Sequence, residues 1–198
     1  MLVNPDAQRK AQEEIDAVVG TNRLPDYNDR PALTYIEAIY REIMRWRPVT
    51  PLGVSHATTD DDIYKGYYIP KGSVVIPNIW AMTHDESIYP QPDLFRPERF
   101  IKEDGQINDD DLILTFGFGR RMCPGRHMAE ATIWLTIVTV LSTFNITKAK
   151  DSDGNDIPVD DDYANGVISH KLPFPCSITP RSAAARDLIL EANTAYDS

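Results

Sequence analysis

The stretch FGFGRRMCPGRH, residues 116–127, decides which fold this chain is expected to have. Its one cysteine, Cys123, follows two glycines and two arginines and precedes a long apolar segment. Pro124 is a residue type favoured in the first turn of a helix, so we expect Cys123 to lie at or beside a helix N-terminus. Free backbone N–H groups, the helix dipole and the nearby Arg120 and Arg121 would stabilise a thiolate there. Such a thiolate is either a nucleophile or a metal ligand.

A cysteine nucleophile is one interpretation of this loop. A phosphatase-type loop needs an arginine six positions after the cysteine, and that position holds Ala129. No obvious histidine–cysteine pair with a third orienting group is present in the sequence. A catalytic partner for Cys123 that is distant along the chain and near in space stays open. The ordinary role of a lone cysteine, a small buried hydrophobic side chain, conflicts with the flanking arginines, because their burial without acidic partners would be costly.

A metal ligand is the other interpretation, and one thiolate supplies only one ligand. Haem supplies four nitrogens itself and needs one strong axial ligand from the protein. Its propionates pair with arginine or histidine, and its flat apolar face requires a close approach of the backbone. Gly117, Gly119 and Gly125 allow that approach, because glycine has no side chain in the way. The composition of the loop therefore favours haem.

The same loop resembles the haem-binding loop of the cytochrome P-450 monooxygenases. The matching positions are Phe116, Gly119, Arg121, Cys123 and Gly125. The resemblance implies that Cys123 is the proximal thiolate ligand of haem b (iron protoporphyrin IX) and that Arg121 pairs with a propionate. It also implies that Phe116 packs near the sulfur.

Two further segments resemble the same family. YREIMRWRP is similar to its Glu-x-x-Arg helix, with Glu42 and Arg45, and FRPERF is similar to its proline-rich meander, with Arg99. The resemblance implies that these three residues form a buried ion cluster that supports the cysteine loop. A helical wheel predicts the opposite, because Glu42 and Arg45 both fall off the apolar face of their helix and would form an ordinary exposed pair.

The segment PVTPLGVSH lies where the family carries a stretch along the haem edge. The resemblance implies that His56, at the end of this segment, meets a haem propionate. A lone histidine in a strand is more often structural. By the same alignment, residues 49–54 and 167–174 would line the substrate pocket, and their apolar character suits an apolar substrate.

Composition limits the other functions open to this chain. The 198 residues carry 30 acidic and 20 basic side chains, a net charge of −10, which argues against nucleic acid as the main partner. Acidic runs such as Asp109–Asp111 are typical of solvated loop tips. Two cysteines cannot form a disulfide framework or a four-cysteine zinc site. We expect no signal peptide, and the apolar run 131–146 is too short to span a membrane.

The pattern along the chain predicts a mainly α fold with a small antiparallel β part. We expect one helix from Asn4–Pro5 to Gly20, a second from near 29–31 to Trp46, and a third from about Pro124 to Phe144 that is apolar almost all round and therefore central. Residues 56–76 predict short antiparallel strands. An irregular stretch follows Ile79, and a weak helical tail covers about 182–198. Nothing marks a second domain, so residues 1–198 are expected to form part of one domain.

The resemblance implies the C-terminal portion of the cytochrome P-450 fold, similar to fungal microsomal members. It implies a monooxygenase that takes electrons from NADPH through a separate reductase, acts on a small apolar substrate, and faces the cytosol on the endoplasmic reticulum membrane. The family's distal helix and membrane anchor would lie upstream, so we expect no catalytic residue within this chain and weak haem binding by it alone. The alternative is a truncated, non-catalytic haem-binding remnant.

Overall fold

The structure, a computed structural model, describes residues 1–110, 113–164 and 166–196. The helices are α1 (Pro5–Val18), α2 (Thr34–Trp46), α3 (Ile79–Thr83), α4 (Arg126–Thr143) and α5 (Ala183–Tyr196). The strands are β1 (His56–Ala57), β2 (Asp62–Tyr64), β3 (Tyr67–Ile69), β4 (Val74–Val75), β5 (Phe144–Lys148) and β6 (Cys176–Pro180). Short 3-10 helices cover Tyr27–Ala32, Pro97–Phe100, Ile113–Phe116 and Gly119–Arg121. The predicted mainly α fold with a small β part is confirmed.

The strands form three separate antiparallel pairs among the described residues. β1 pairs with β4, β2 pairs with β3, and β5 pairs with β6. The β2–β3 hairpin places Tyr64 opposite Tyr67 across the turn Lys65–Gly66. Gly66 has φ +86°, a left-handed conformation that glycine adopts without steric cost. The antiparallel strands predicted for residues 56–76 are therefore confirmed.

Helices α1, α2 and α4 pack around the main hydrophobic core. Ile15 of α1, Ile36 and Ile39 of α2, and Trp134 and Val138 of α4 are all fully buried there. Burying side chains of this size contributes about 1.5–3 kcal/mol each relative to leaving them in water. This core holds α2 and α4 in place, and the segments that follow α2 and precede α4 line the cleft described below.

The helix boundaries differ from those predicted by a few residues. α1 begins at Pro5 as expected, but Asn4 makes no side-chain capping hydrogen bond. Gly20, at φ +80°, follows the end of α1 as the expected stop signal. The segment before α2 is a 3-10 helix that contains Pro31. The predicted α-helix therefore does not extend back to residues 29–31, and α2 starts at Thr34. Asp111 and residues 197–198 of the predicted tail lie outside the described residues.

Two predictions about secondary structure and burial are wrong. Helix α4 is buried on one face only: Trp134 and Leu141 are buried, whereas Met128 is 77% exposed. The reason is that α1, α2 and α5 pack against one side of it. The stretch after Ile79 is not wholly irregular, because α3 forms there with the Asn78 side chain accepting a hydrogen bond from Ala81 N at 3.0 Å. None of the described helices has both the length and the apolar character needed to cross a bilayer.

Candidate functional site

The cysteine loop consists of two tight turns that precede α4. Cys123 N donates a hydrogen bond to Phe116 O at 2.8 Å, and Arg126 N donates to Cys123 O at 3.3 Å. Helix α4 starts at Arg126, so Pro124 lies in the turn before the helix and is not its first residue, contrary to the sequence expectation. The reason is that residues 124–125 complete a separate turn closed by the Cys123 carbonyl. The result is a free thiol that is exposed rather than packed in the core.

An open cleft of about 950 Å³ lies against this thiol. Its volume is at the upper end of the roughly 300–1,000 Å³ range of ligand pockets in proteins. Of the residues predicted for the site, Cys123, Arg121, Phe116 and His56 all line it. The structure thus brings together, on one cleft, residues from two segments of the chain that the sequence separates by a long interval.

Of the three predicted glycines, Gly117 lines the cleft, whereas Gly119 and Gly125 do not. Gly119 has φ +57°, a left-handed conformation that L side chains rarely adopt. A Cβ at Gly125 would lie 3.9 Å from the Cys123 sulfur, in ordinary van der Waals contact. Both glycines therefore shape the backbone around the sulfur, and neither lines the cleft itself.

Positive charge collects on the same cleft. Arg120 and Arg121 both line it, both are exposed, and neither has a carboxylate partner among the residues that the structure describes. His56, in β1, is exposed as well, and its Nδ1 lies 2.8 Å from Val54 O. Two guanidinium groups and an imidazole facing one cavity suit a ligand with carboxylate groups.

The donor set suits a metal group that brings its own ligands. Within residues 1–110, 113–164 and 166–196, no group of three or more His, Cys, Asp or Glu side chains could hold a bare metal ion. One exposed sulfur, an apolar wall and two unpaired arginines do fit haem, which supplies its equatorial nitrogens and carries two propionates. The residues present therefore fit the group that the loop composition favours.

The apolar wall of the cleft comes from residues that no motif marked. Val75, Pro77 and Ile79 line it from β4 to the start of α3, and Leu114 lines it from the 3-10 helix Ile113–Phe116. The only sequence signal near them was the apolar end of the strand pattern predicted for residues 56–76. They became neighbours of Cys123 only through the fold.

The two predicted substrate-lining segments meet, but only one of them borders the cleft. Thr50, Gly53 and Val54 line it, whereas no residue of 167–174 does. The segments are joined by a hydrogen bond that Ser169 N donates to Val49 O at 2.7 Å. Residues 167–174 therefore contact the first segment without lining the cleft.

A buried ion cluster lies beneath the proline-rich stretch. Glu42 and Arg45 have fully buried side chains, and the side chain of Arg99 is 8% exposed. Arg45 Nε lies 2.7 Å from Glu42 Oε2, and Arg99 Nε lies 3.1 Å from the same oxygen. Burial is the main reason why the pKa of Arg99 lies below its ordinary value. The helical-wheel prediction of an exposed pair is wrong, because residues 90–99 cover this face of α2.

Backbone carbonyls complete the cluster, and sequence reasoning missed them. Arg45 donates to Thr83 O at 2.9 Å and to Pro92 O at 2.8 Å. Arg99 donates to Pro90 O at 2.9 Å and to Gln91 O at 3.2 Å. A carbonyl leaves no signal in the sequence, because every residue has one. Two arginines thus share one carboxylate, and carbonyl dipoles take the remaining donors.

Comparison with known proteins points in one direction. The family model described as Cytochrome P-450 matches residues 1–174. The cytochrome P-450 monooxygenase claR of Ampulloclitocybe clavipes is 48% identical over 96% of this chain and 35% of its own length. The cytochrome P-450 monooxygenase ple1 of Rhodocybe pseudopiperita is 48% identical over 96% of this chain and 36% of its own length. Cytochrome P-450 monooxygenase 176 of Postia placenta is 47% identical over 97% of this chain and 37% of its own length. The chain thus spans little more than a third of the length of these curated relatives.

Proposed function

The chain belongs to the cytochrome P-450 family, and from that premise we propose that it is the haem-binding portion of a monooxygenase, with Cys123 as the axial ligand of the haem iron. The observation that carries the proposal is the exposed Cys123 thiol on the wall of an apolar cleft that also holds Arg121 and His56. When bound, a thiolate-ligated haem supplies O–O cleavage and the transfer of one oxygen atom to an organic substrate. The alternative, a non-catalytic haem-binding remnant, keeps the same cysteine ligand.

The cofactor in this proposal is haem b. Arg121 and His56 bind its propionates, and the positive charge of Arg120 on the same cleft supports that arrangement. We propose that Phe116 packs near the sulfur, since it lines the same cleft and its carbonyl accepts a hydrogen bond from the Cys123 amide at 2.8 Å. Gly119 gives the loop a left-handed φ of +57°, and a Cβ at Gly125 would lie 3.9 Å from the Cys123 sulfur.

The ion cluster has a supporting role in this proposal. Glu42, Arg45 and Arg99 hold the proline-rich stretch against α2. On the same helix, Arg41 donates to Asn108 O at 2.8 Å and to Asp110 O at 2.6 Å. These hydrogen bonds anchor the chain just before the cysteine loop. We propose that this series of contacts keeps the sulfur facing the cleft, and that residues 1–198 form part of one domain.

Substrate, partner and location are finer parts of the same proposal. An apolar substrate is supported by the exposed apolar side chains that line the cleft, since Val54 is 70% and Val75 is 50% exposed. Electrons come from NADPH through a separate reductase, and the complete enzyme works on the cytosolic face of the endoplasmic reticulum. No residue of this chain is assigned a catalytic role. Its contribution is to bind and orient the haem.

The test compares the two cysteines of the chain. The chain is titrated with haem to saturation, reduced, exposed to carbon monoxide and examined for the absorption band of thiolate-ligated haem. Cys123→Ser removes that band, whereas Cys176→Ser, a matched control for the free cysteine in β6, retains it. A thiolate band that persists in Cys123→Ser, or disappears in Cys176→Ser, would show that the ligand is assigned wrongly.

A further inference from the structure

Arg47, the residue after α2, lies in a cage of three aromatic rings. Its guanidinium carbon is 5.0 Å from the ring centre of Trp46, 5.3 Å from that of Trp80 and 4.9 Å from that of Tyr163. These rings belong to three different parts of the chain: the end of α2, helix α3 and the loop before β6. Arg47 also forms an ion pair with Asp161. One side chain therefore connects three segments that the sequence keeps apart.

The part of the loop that Arg47 contacts lies at the surface: Asp161 and Asp162 are exposed and Tyr163 is half-buried. A bridge pairs Tyr163 with Lys171, and Lys171 Nζ lies 5.2 Å from the Tyr163 ring centre. We name these paired pieces, residues 161–163 and 169–171, the strap. Among the residues that the structure describes, one backbone hydrogen bond, from Ser169 N to Val49 O, joins the strap to the segment that lines the cleft. The aromatic cage around Arg47 and this hydrogen bond thus both join the strap to the chain that follows α2.

We propose that Arg47 is a positioning residue that holds the strap against residues 49–54 and so determines which apolar molecules the cleft accepts. The specificity part of this proposal rests on the proposed function, in which Thr50, Gly53 and Val54 line the substrate side of the cleft. The attachment part does not, because it concerns contacts that are present without haem. A strap that detaches from Val49 leaves the cleft wall next to it free to move outward.

The chemistry of the cage explains why arginine occupies this position. The Arg47 Nε atom is buried and has no hydrogen-bond partner among the residues that the structure describes, so the ring faces, rather than oxygen atoms, surround much of the guanidinium. A flat guanidinium stacks on aromatic faces, whereas a lysine ammonium is compact and strongly hydrated. The Asp161 side chain is 61% exposed, so the ion pair by itself holds the strap weakly.

The first measurement is hydrogen exchange at the Ser169 amide in the haem-free chain. Arg47→Ala accelerates this exchange at least about tenfold, because loss of the cage frees the strap to open locally. Arg47→Lys gives an intermediate acceleration, since it keeps the charge but loses the flat stacking. Asp161→Asn changes the rate less than about threefold. If Arg47→Ala fails to fold, Arg47→Lys and Asp161→Asn decide the question.

Arg30 provides a matched control. It is also surrounded by three aromatic rings, at 5.5 Å from Tyr27, 5.2 Å from Tyr40 and 5.8 Å from Trp134, and it pairs with Glu37. It has no contact with the strap. Arg30→Ala should therefore leave exchange at Ser169 within about twofold of the wild type. Equal acceleration in both variants would overturn the proposal, because it would reduce Arg47 to a general contributor to stability. An unchanged rate in Arg47→Ala would overturn it too.

The second measurement tests specificity in the haem-loaded chain. Pyrene and naphthalene, two apolar probes of different width, are titrated while quenching of their fluorescence by the haem is followed. Loss of the strap contact in Arg47→Ala should raise the pyrene-to-naphthalene affinity ratio at least about threefold, whereas Arg47→Lys moves it less. Faster exchange with an unchanged ratio would overturn the specificity role. The exchange result needs no haem, so failure of the Cys123 assignment is recognised separately, by the carbon monoxide spectrum.

Discussion

Replacing Glu42 with glutamine removes the only carboxylate of the buried ion cluster while keeping its shape. Four donors now converge on that carboxylate: Arg45 Nε at 2.7 Å, Arg45 Nη2 at 2.9 Å, Arg96 N at 2.7 Å and Arg99 Nε at 3.1 Å. Each is an N–H donor. The glutamine side chain accepts hydrogen bonds only at its amide oxygen, because its NH2 group is itself a donor. The variant therefore leaves guanidinium charge uncompensated in a site where Glu42 and Arg45 are fully buried.

The expected size of the effect follows from that burial. Removing one partner of a buried ion pair costs about 3–5 kcal/mol, because the remaining charge stays buried and unpaired. A whole domain is stable by only about 5–15 kcal/mol. Glu42→Gln should thus lose about a fifth or more of the folding free energy, and hydrogen exchange should rise in residues 90–99, which the cluster holds in place.

The assay is urea unfolding, with Glu37→Gln as the matched control. Glu37 lies on the same helix and also contacts two arginines, Arg30 at 2.8 Å and Arg41 at 3.2 Å, but its side chain is 14% exposed. Glu37 is more accessible to water than Glu42, so Glu37→Gln should cost less, about 1–2 kcal/mol. A Glu42→Gln variant that loses no more free energy of unfolding than Glu37→Gln would refute the reasoning, because burial would then not determine the cost.

Three further predictions concern the cleft wall, a helix start and acid stability. A Cβ at Gly53 would lie 2.6 Å from Pro77 Cγ at φ +59°, so Gly53→Ala should cost about 2–5 kcal/mol in urea unfolding, against about 1–2 kcal/mol for the uncrowded Gly20→Ala at φ +80°. Glu14→Ala should cost about 1–2 kcal/mol by the same assay, because it removes the acceptor for the first amides of α2. The hydrogen bond from Arg23 lowers the pKa of Asp29 to about 2, so its stabilisation is complete above its ordinary pKa and is lost as pH falls toward 2. Asp29→Asn should therefore lose less stability than the wild type between about pH 5 and pH 2.

Each of these predictions has a result that contradicts it. Equal losses for Gly53→Ala and Gly20→Ala would mean that the Pro77 ring moves aside without cost. A Glu14→Ala variant as stable as the wild type would show that water caps α2 equally well. Parallel acid-unfolding curves for Asp29→Asn and the wild type would mean that the Arg23 contact does not persist in solution.

How far the sequence allowed prediction depended on whether the signal was local. The three amphipathic or apolar helices and the short strands of 56–76 were found because side-chain periodicity and glycine or proline punctuation lie within a few residues of the structure they determine. The helix positions near Pro31 and Pro124 were misjudged for a related reason. A proline is compatible with both a 3-10 turn and the first turn of an α-helix, and the neighbouring contacts decide between them.

Long-range contacts were the part that local patterns could not supply. Glu14 accepts hydrogen bonds from Tyr35 N at 2.7 Å and Ile36 N at 3.0 Å, which caps α2 from another helix. Nothing near Thr34 in the sequence announces such a cap. The Arg47 cage is a second case, since Trp80 and Tyr163 become neighbours of Arg47 only after three segments have packed.

The sequence alone determined the family, the identity of the single cysteine in the glycine- and arginine-rich loop, and the three segments that accompany it, because residue type and spacing are written into the chain. The tertiary structure decided whether Glu42 and Arg45 face water, and it decided against the helical wheel. A wheel describes one helix in isolation, whereas burial depends on what packs against each face. Carbonyl groups of residues 90–94 cover the polar face of α2 and accept hydrogen bonds from Arg45 and Arg99. The charged side chains on that face are therefore buried.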